Sequence, residues 1–177
     1  MLYFGQDVGE KGDGDAGFGK ASRTTIFDYW GVPAHQRWMN KGKFDGGALH
    51  ADEKALRADY VKLMQFTRNA PALMGDYDDL HKANIGNTGY DGELFSYARY
   101  NSKQKLVIVS NFSASKSKRF TLRLPPTLIA EWRLRDGDYR LKDRLGDAKS
   151  RLQIANMMGF ITLELAPLQS VILELPN

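Results

Sequence analysis

Near the start of the chain, Gly12-Asp13-Gly14-Asp15-Ala16-Gly17 carries the spacing G-x-G-x-x-G. That spacing cradles a pyrophosphate when it joins a strand to the N-terminus of a helix. No apolar residues at helical spacing follow Gly17, and Asp13 and Asp15 would repel a diphosphate, so the match is read as chance. With Asp7 and Glu10 the same aspartates offer the oxygen ligands that calcium favours. An EF-hand loop also needs a third ligand position and a distal bidentate glutamate; neither is present, and a solvated loop accounts for the segment. His35, His50 and His81 are scattered and lack zinc-ligand spacing. His50 falls just before a helix, and His81, after Asp78-Asp79, reads as half of an exposed ion pair. Asn111-Phe112-Ser113 fits the N-glycosylation pattern, a frequent chance match. No metal and no cofactor are expected.

Charge narrows the classes further. The net charge of +4 could suggest a polyanion, but basic and acidic residues number 10 and 9 up to Gly75 and 15 and 12 beyond it. The densest basic stretch, from Arg133 to Arg151, is interleaved with Asp136, Asp138, Asp143 and Asp147. Alternating signs mark a solvated face, and no aromatics are interleaved as a single-strand binder requires. Nucleic acid is therefore excluded as a partner. Hydrophobic residues at 42% and charged ones at 26% describe a globular mixture. No apolar run approaches the ~20 residues of a membrane helix, so no membrane partner is expected. Cysteine is absent, which excludes disulfides and thiolate metal sites.

The elements that position these residues change character along the chain. Leu2-Tyr3-Phe4, closed by Gly5-Gln6-Asp7-Val8-Gly9, reads as the C-terminal end of a buried parallel strand entering a functional loop. Such a strand needs neighbours that 177 residues do not supply, so the chain reads as the tail of a larger enzyme. A long irregular stretch from Glu10 to about Leu49 follows, with a short helix opening at Val32-Pro33 and running through Trp38. Asp52 and Glu53 suit the start of a second helix, along which Leu56, Tyr60, Leu63 and Thr67 form one stripe, widened by Met64 and Phe66. From about Glu93 the period becomes two. Phe120, Leu122 and Leu124 alternate with polar residues, as do Trp132 and Leu134, Ile161 to Leu165, and Val171 to Leu175. Leu106 to Val109 is apolar throughout, as in a central strand buried on both faces. Turn residues separate the strands at Asn101-Ser102, Ser113 to Ser117, Pro125-Pro126, Asp136-Gly137-Asp138 and Ala166-Pro167. Six or more such strands predict an antiparallel β-sandwich, with Trp132 in its core.

Several stretches in order resemble the α-amylase family of glycoside hydrolases. Tyr3-Phe4-Gly5-Gln6-Asp7-Val8-Gly9 is similar to the end of that family's eighth barrel strand. Arg23-Thr24-Thr25-Ile26 resembles the segment in the following loop, with Thr25 where the family has proline. The helix leading into Pro71-Ala72-Leu73-Met74-Gly75 resembles the last barrel helix, and Leu163 to Leu175 is similar to the last two strands of the family's C-terminal domain. The resemblance implies a mainly β fold: an antiparallel β-sandwich over residues 76–177, preceded in residues 1–75 by the last strand, loop and last helix of an incomplete TIM (β/α)8 barrel.

It also implies retaining hydrolysis of α-glucosidic bonds, in which one carboxylate attacks and another carboxylic acid protonates the leaving oxygen. The family's three catalytic carboxylates would lie upstream of Met1, so no catalytic residue is assigned. Asp7, Arg23, Tyr29 and Trp30 fall where loops at strand ends build the family's cleft. The arginine suits sugar hydroxyls and the rings suit a pyranose face, and each ring can equally pack its loop onto the barrel. The leading reading is a C-terminal fragment of an α-glucan-acting glycosidase, inactive alone, with the sandwich as a structural accessory. Its substrate would be met through the parent barrel, and the uncovered barrel-facing surface could drive self-association. The alternative is a non-catalytic carbohydrate-binding module, which needs an exposed row of aromatics on one sheet face. Phe95, Tyr97 and Tyr100 are the candidates for it.

Overall fold

The computed structural model describes residues 2–12, 19–20 and 32–176. It divides into two compact units, residues 1–65 and 66–177.

In the first unit Leu2, Tyr3 and Phe4 form no strand and are exposed. The buried parallel strand expected there is absent because no neighbouring strand takes up its backbone groups. A 3-10 turn at Gln6–Val8 follows, bounded by Gly5 (φ 78°) and Gly9 (φ 72°). Both glycines hold the left-handed conformation that side chains disfavour, and between them Val8 is driven inward. Helix α1 (Pro33–Met39) opens on a proline, as expected. Val8, Ala34 and Leu49 form a small core with Trp38 against it. Helix α2 (Ala51–Asn69) carries Asp52 and Glu53 in its first turn, where they complement the helix dipole. Its expected apolar stripe is only half-covered: Leu56, Tyr60, Leu63 and Phe66 are intermediate, and Met64 is 42% exposed.

The second unit is mainly β. Its strands are β1 (Asp76–Asp79), β2 (Leu94–Tyr100), β3 (Lys105–Asn111), β4 (Lys118–Leu124), β5 (Gly137–Asp143), β6 (Lys149–Ala155), β7 (Met158–Leu165) and β8 (Ser170–Leu175). Every pairing is antiparallel. The order is β1-β2-β3-β8-β5-β6-β7-β4 in one continuous sheet. The expected antiparallel β domain is therefore present, but its strands are linked in one sheet instead of two stacked ones. The link is short, with only Lys142↔Glu174 and Asp143↔Leu173 joining β5 to β8.

The sheet curls about that link. Helix α3 (Leu80–Asn84) packs on both β2 and β4, which lie six ladder places apart. In a flat sheet that separation would be about 29 Å. Curling gathers the inner residues of β2 to β8 into one core, with Leu122, Leu124, Leu152, Ile161 and Leu173 among its most buried members. Tyr90 meets Phe120 edge-on at 5.5 Å across the closing side. Asn84, fully buried, ties α3 to β4: its amide donates to the carbonyls of Leu80 (2.8 Å) and Arg123 (2.9 Å), and its oxygen accepts from Arg123 N–H (2.8 Å).

Other expectations sort on physical grounds. Leu106 to Val109 is buried on both faces, between β2 and β8. Of the interleaved charges, Asp138, Arg140, Lys142, Lys149 and Arg151 occupy exposed positions of β5 and β6, whereas Asp143 is buried. Pro125-Pro126 begins a helix, α4 (Pro126–Glu131), instead of a turn, because Pro126 at the first helical position gives up no hydrogen bond. Trp132 closes that helix and lies outside any strand, but it is in the core as expected. Strand β1, three aspartates and a tyrosine, runs against strand propensity, and its pairing with β2 overrides that preference. Asn111 of the glycosylation pattern is 1% exposed, and its amide donates to the carbonyls of Lys116 and Ala166. That placement keeps it from modification in the folded chain.

Candidate functional site

Of the four residues expected to contact substrate, Asp7 is described; Arg23, Tyr29 and Trp30 lie outside the described residues, as do residues 13–18 of the glycine-rich segment. The left-handed glycines on either side of the 3-10 turn aim Asp7 at α2, where it pairs with Arg57. Arg57 in turn sits over the indole of Trp38, 4.8 Å from the ring centroid, within cation–π range. The aromatic chain extends through His35, 5.6 Å from Trp38, to Phe4, 4.4 Å from His35.

Beside this pair a cleft of about 370 Å³ is lined by Gly9, Glu10, Arg37, Asp52 and Glu53 with apolar Val8 and Leu56. Its two glutamates are engaged. Glu10 accepts from the backbone N–H of His35 at 3.0 Å, in the first turn of α1 where helical N–H groups lack internal partners. Glu53 receives Arg37 in a two-pronged arrangement, with Nε at 3.0 and 3.2 Å and Nη2 closer still. It also accepts from the N–H of His50, the residue before α2, at 2.9 Å. This is the reach-back of a capping box.

The Arg37 guanidinium, aided by the His50 N–H and opposed by desolvation, pulls the Glu53 carboxyl down to about 2. A carboxyl so placed is ionised at neutral pH. It can accept hydrogen bonds from hydroxyl groups, but it cannot donate the proton a glycosidic leaving group needs. The cleft can hold a small polar molecule between carboxylate acceptors and guanidinium donors. Among the described residues no group of three or more His, Asp or Glu could hold a metal ion.

Arg37, Glu53, Arg57 and Trp38 were not singled out from the sequence as site residues. The available signal was Glu53 three places after His50 at a helix start, which predicts the cap; its partnership with Arg37 comes from a different helix. His81 also differs from expectation. Its Nδ1 lies 3.1 Å from the Tyr90 hydroxyl, and its ring lies 5.5 Å from Phe95.

No protein-family model matches the sequence, and no curated protein matches it. Solved structures do. An AmyP variant bound to maltotriose superposes with a TM-score of 0.50 at 18% identity, over 73% of this chain and 22% of that one. The fold is one that α-amylase family enzymes carry. Two further structures superpose at slightly lower TM-scores: the maltogenic α-amylase AmyB from Thermotoga neapolitana (TM-score 0.49, 14% identity, 69% of this chain and 26% of that one) and an Anoxybacillus α-amylase (TM-score 0.48, 17% identity, 77% and 26%). At these identities the likeness is one of fold alone. The chain spans about a quarter or less of the length of each.

Proposed function

We propose that this chain is the C-terminal part of an α-glucan-acting glycosidase of the α-amylase type, with residues 76–177 as its accessory β-domain. On this reading residues 1–75 supply the end of a catalytic (β/α)8 barrel. The observation that carries the reading is the superposition of 73% of the chain on the AmyP structure, whose bound ligand is maltotriose. The order of sequence motifs supports it independently. So does α2, a 19-residue helix whose apolar stripe is half-covered, as a barrel helix separated from its barrel would be.

The β-domain then shields apolar barrel surface and performs no chemistry. Arg23, Tyr29 and Trp30 are assigned to glucan contact, as is Asp7, which pairs with Arg57. The hydrolytic acid and nucleophile belong to the rest of the barrel. Glu53, held ionised by Arg37, is unsuited to be the acid. The purified 177-residue chain is expected to leave starch, maltooligosaccharides and aryl α-glucosides intact. Turnover by this chain that is lost on replacing one of its own carboxylates would overturn the reading.

A further inference from the structure

Strands β5 and β6 place four cations side by side on the outer face of the sheet. Arg140 lies opposite Arg151 and Lys142 opposite Lys149, and all four are exposed. Leu141, Leu152 and Ile154 alternate with them and belong to the core. Directly opposed residues stand about 5 Å apart, and residues two along a strand about 7 Å apart, so the four make a compact rectangle of positive charge. Like charges directly opposite one another destabilise a sheet. Among the described residues none of the four takes part in an ion pair or a side-chain hydrogen bond. Lys118 of β4, by contrast, is held by both Asp91 and Glu93.

The aspartates interleaved with these cations in sequence do not neutralise them, because the fold sends most of them elsewhere. Asp143 is buried and accepts from the Leu145 N–H at 3.0 Å. Asp136 accepts from the Asn156 N–H at 3.0 Å, at the turn between β6 and β7. Asp147 lies in the loop between β5 and β6. Of these aspartates Asp138 alone shares the strand face, opposite Gln153 and at the end remote from Lys142 and Lys149.

Closely spaced negative charge relieves this repulsion, and the surroundings decide what carries it. A membrane fits poorly, since no large apolar side chain of β5 or β6 is exposed for insertion. Nucleic acid fits poorly as well: no aromatic side chain of these strands is exposed for bases to stack on. The sheet also curls around its core, so a stiff duplex meets this convex face at few phosphates. An extended peptide follows a convex sheet, and its alternate side chains share one face at the same interval of about 7 Å as the cation pairs. One carboxylate then sits between Arg140 and Arg151, with an oxygen for each guanidinium. The carboxylate two residues on sits between Lys142 and Lys149. Thr121 and Thr162, their hydroxyls 3.3 Å apart on the neighbouring strands, add a polar rim.

We infer that the outer face of β5 and β6 docks an extended acidic segment of a partner protein, with carboxylates at alternate positions. The inference stands apart from the glycosidase reading and does not need it.

The test follows the fluorescence anisotropy of labelled peptides titrated with the full 177-residue chain. One peptide has roughly five Glu-Thr repeats and the other has the same glutamates at every third position, which breaks the shared face. Saturable binding of the alternating peptide is expected, roughly tenfold tighter than that of the other and weakening as salt rises from about 50 to about 300 mM. Arg151→Glu should weaken it at least about tenfold. The same substitution turns a like-charge pair into an opposite one, so it should raise the urea midpoint of unfolding, which separates lost docking from lost folding. Lys82→Glu, the same charge change at an exposed position of α3, should leave binding unaltered. Equal binding of the two peptides, or equal weakening by Lys82→Glu, would reduce the effect to net charge and overturn the inference. So would no binding at about millimolar peptide, or a lowered urea midpoint in Arg151→Glu. Tighter binding of a mixed-sequence DNA duplex, or of phosphatidylserine-containing vesicles, lost on the same substitution, would overturn the assignment to a protein segment.

Discussion

Replacing Arg37 with methionine removes the guanidinium from Glu53 while keeping a side chain of similar reach. Glu53 then retains the His50 N–H at 2.9 Å, with only 10% of its side chain exposed. Its carboxyl, held at about 2 in the folded chain against an ordinary 4.5, should titrate nearer the ordinary range. At 1.36 kcal/mol per pKa unit that difference is worth about 3 kcal/mol. Arg37 keeps 29% of its side chain in water, and solvent screening reduces the figure to roughly 1–2 kcal/mol. The sign follows from linkage. A carboxyl whose folded-state pKa is depressed contributes stability above its unfolded pKa and loses that contribution as pH falls through the folded value. The difference between Arg37→Met and the unaltered chain should therefore be full above about pH 5 and fade between pH 4.5 and about 2. Native-state hydrogen exchange of the His50 and Lys54 amides, which bond to the Glu53 carboxylate and the His50 carbonyl, with both proteins compared at each pH, reads this out. Opening should be about 5- to 30-fold more frequent in the variant at pH 6, and the two should converge near pH 2. A difference constant across that range, or none at pH 6, would refute the coupling.

Two further perturbations test the sheet. Asn84→Ala removes the two hydrogen bonds to Arg123 that tie α3 to β4, along with one to Leu80 inside α3, and should lower unfolding stability in urea by roughly 2–3 kcal/mol, whereas a loss below about 0.5 kcal/mol would mean the tie is dispensable. Gly75→Ala places a Cβ 2.0 Å from the carbonyl oxygen of Tyr100, so β1 must move; hydrogen-exchange protection should fall across Asp76–Asp79 and persist in β3, and an unchanged β1 would show that the edge strand does not depend on that approach.

The local chemistry of the chain determined much by itself. Proline at a first helical turn started α1, and acidic residues placed the start of α2. Period-two alternation marked β4, β7 and β8, and the continuous apolar run of β3 announced a strand covered on both faces, because side-chain direction along a strand is fixed by the backbone. The interleaved charges of residues 133–151 declared a solvated face for the same reason, with buried Asp143 as the exception. Three features were decided only by tertiary structure. Strand β1, rich in aspartate, exists because β2 offers it a ladder, which no local preference records. The single curled sheet depends on a two-pair link between β5 and β8 and on α3 bridging strands six places apart, and such long-range closures leave no periodic trace. The Arg37–Glu53 and Asp7–Arg57 pairs join residues 16 and 50 places apart in sequence. Each partner alone is an ordinary surface residue. The chemistry arises from the distance between them, and that distance is set by how the elements pack.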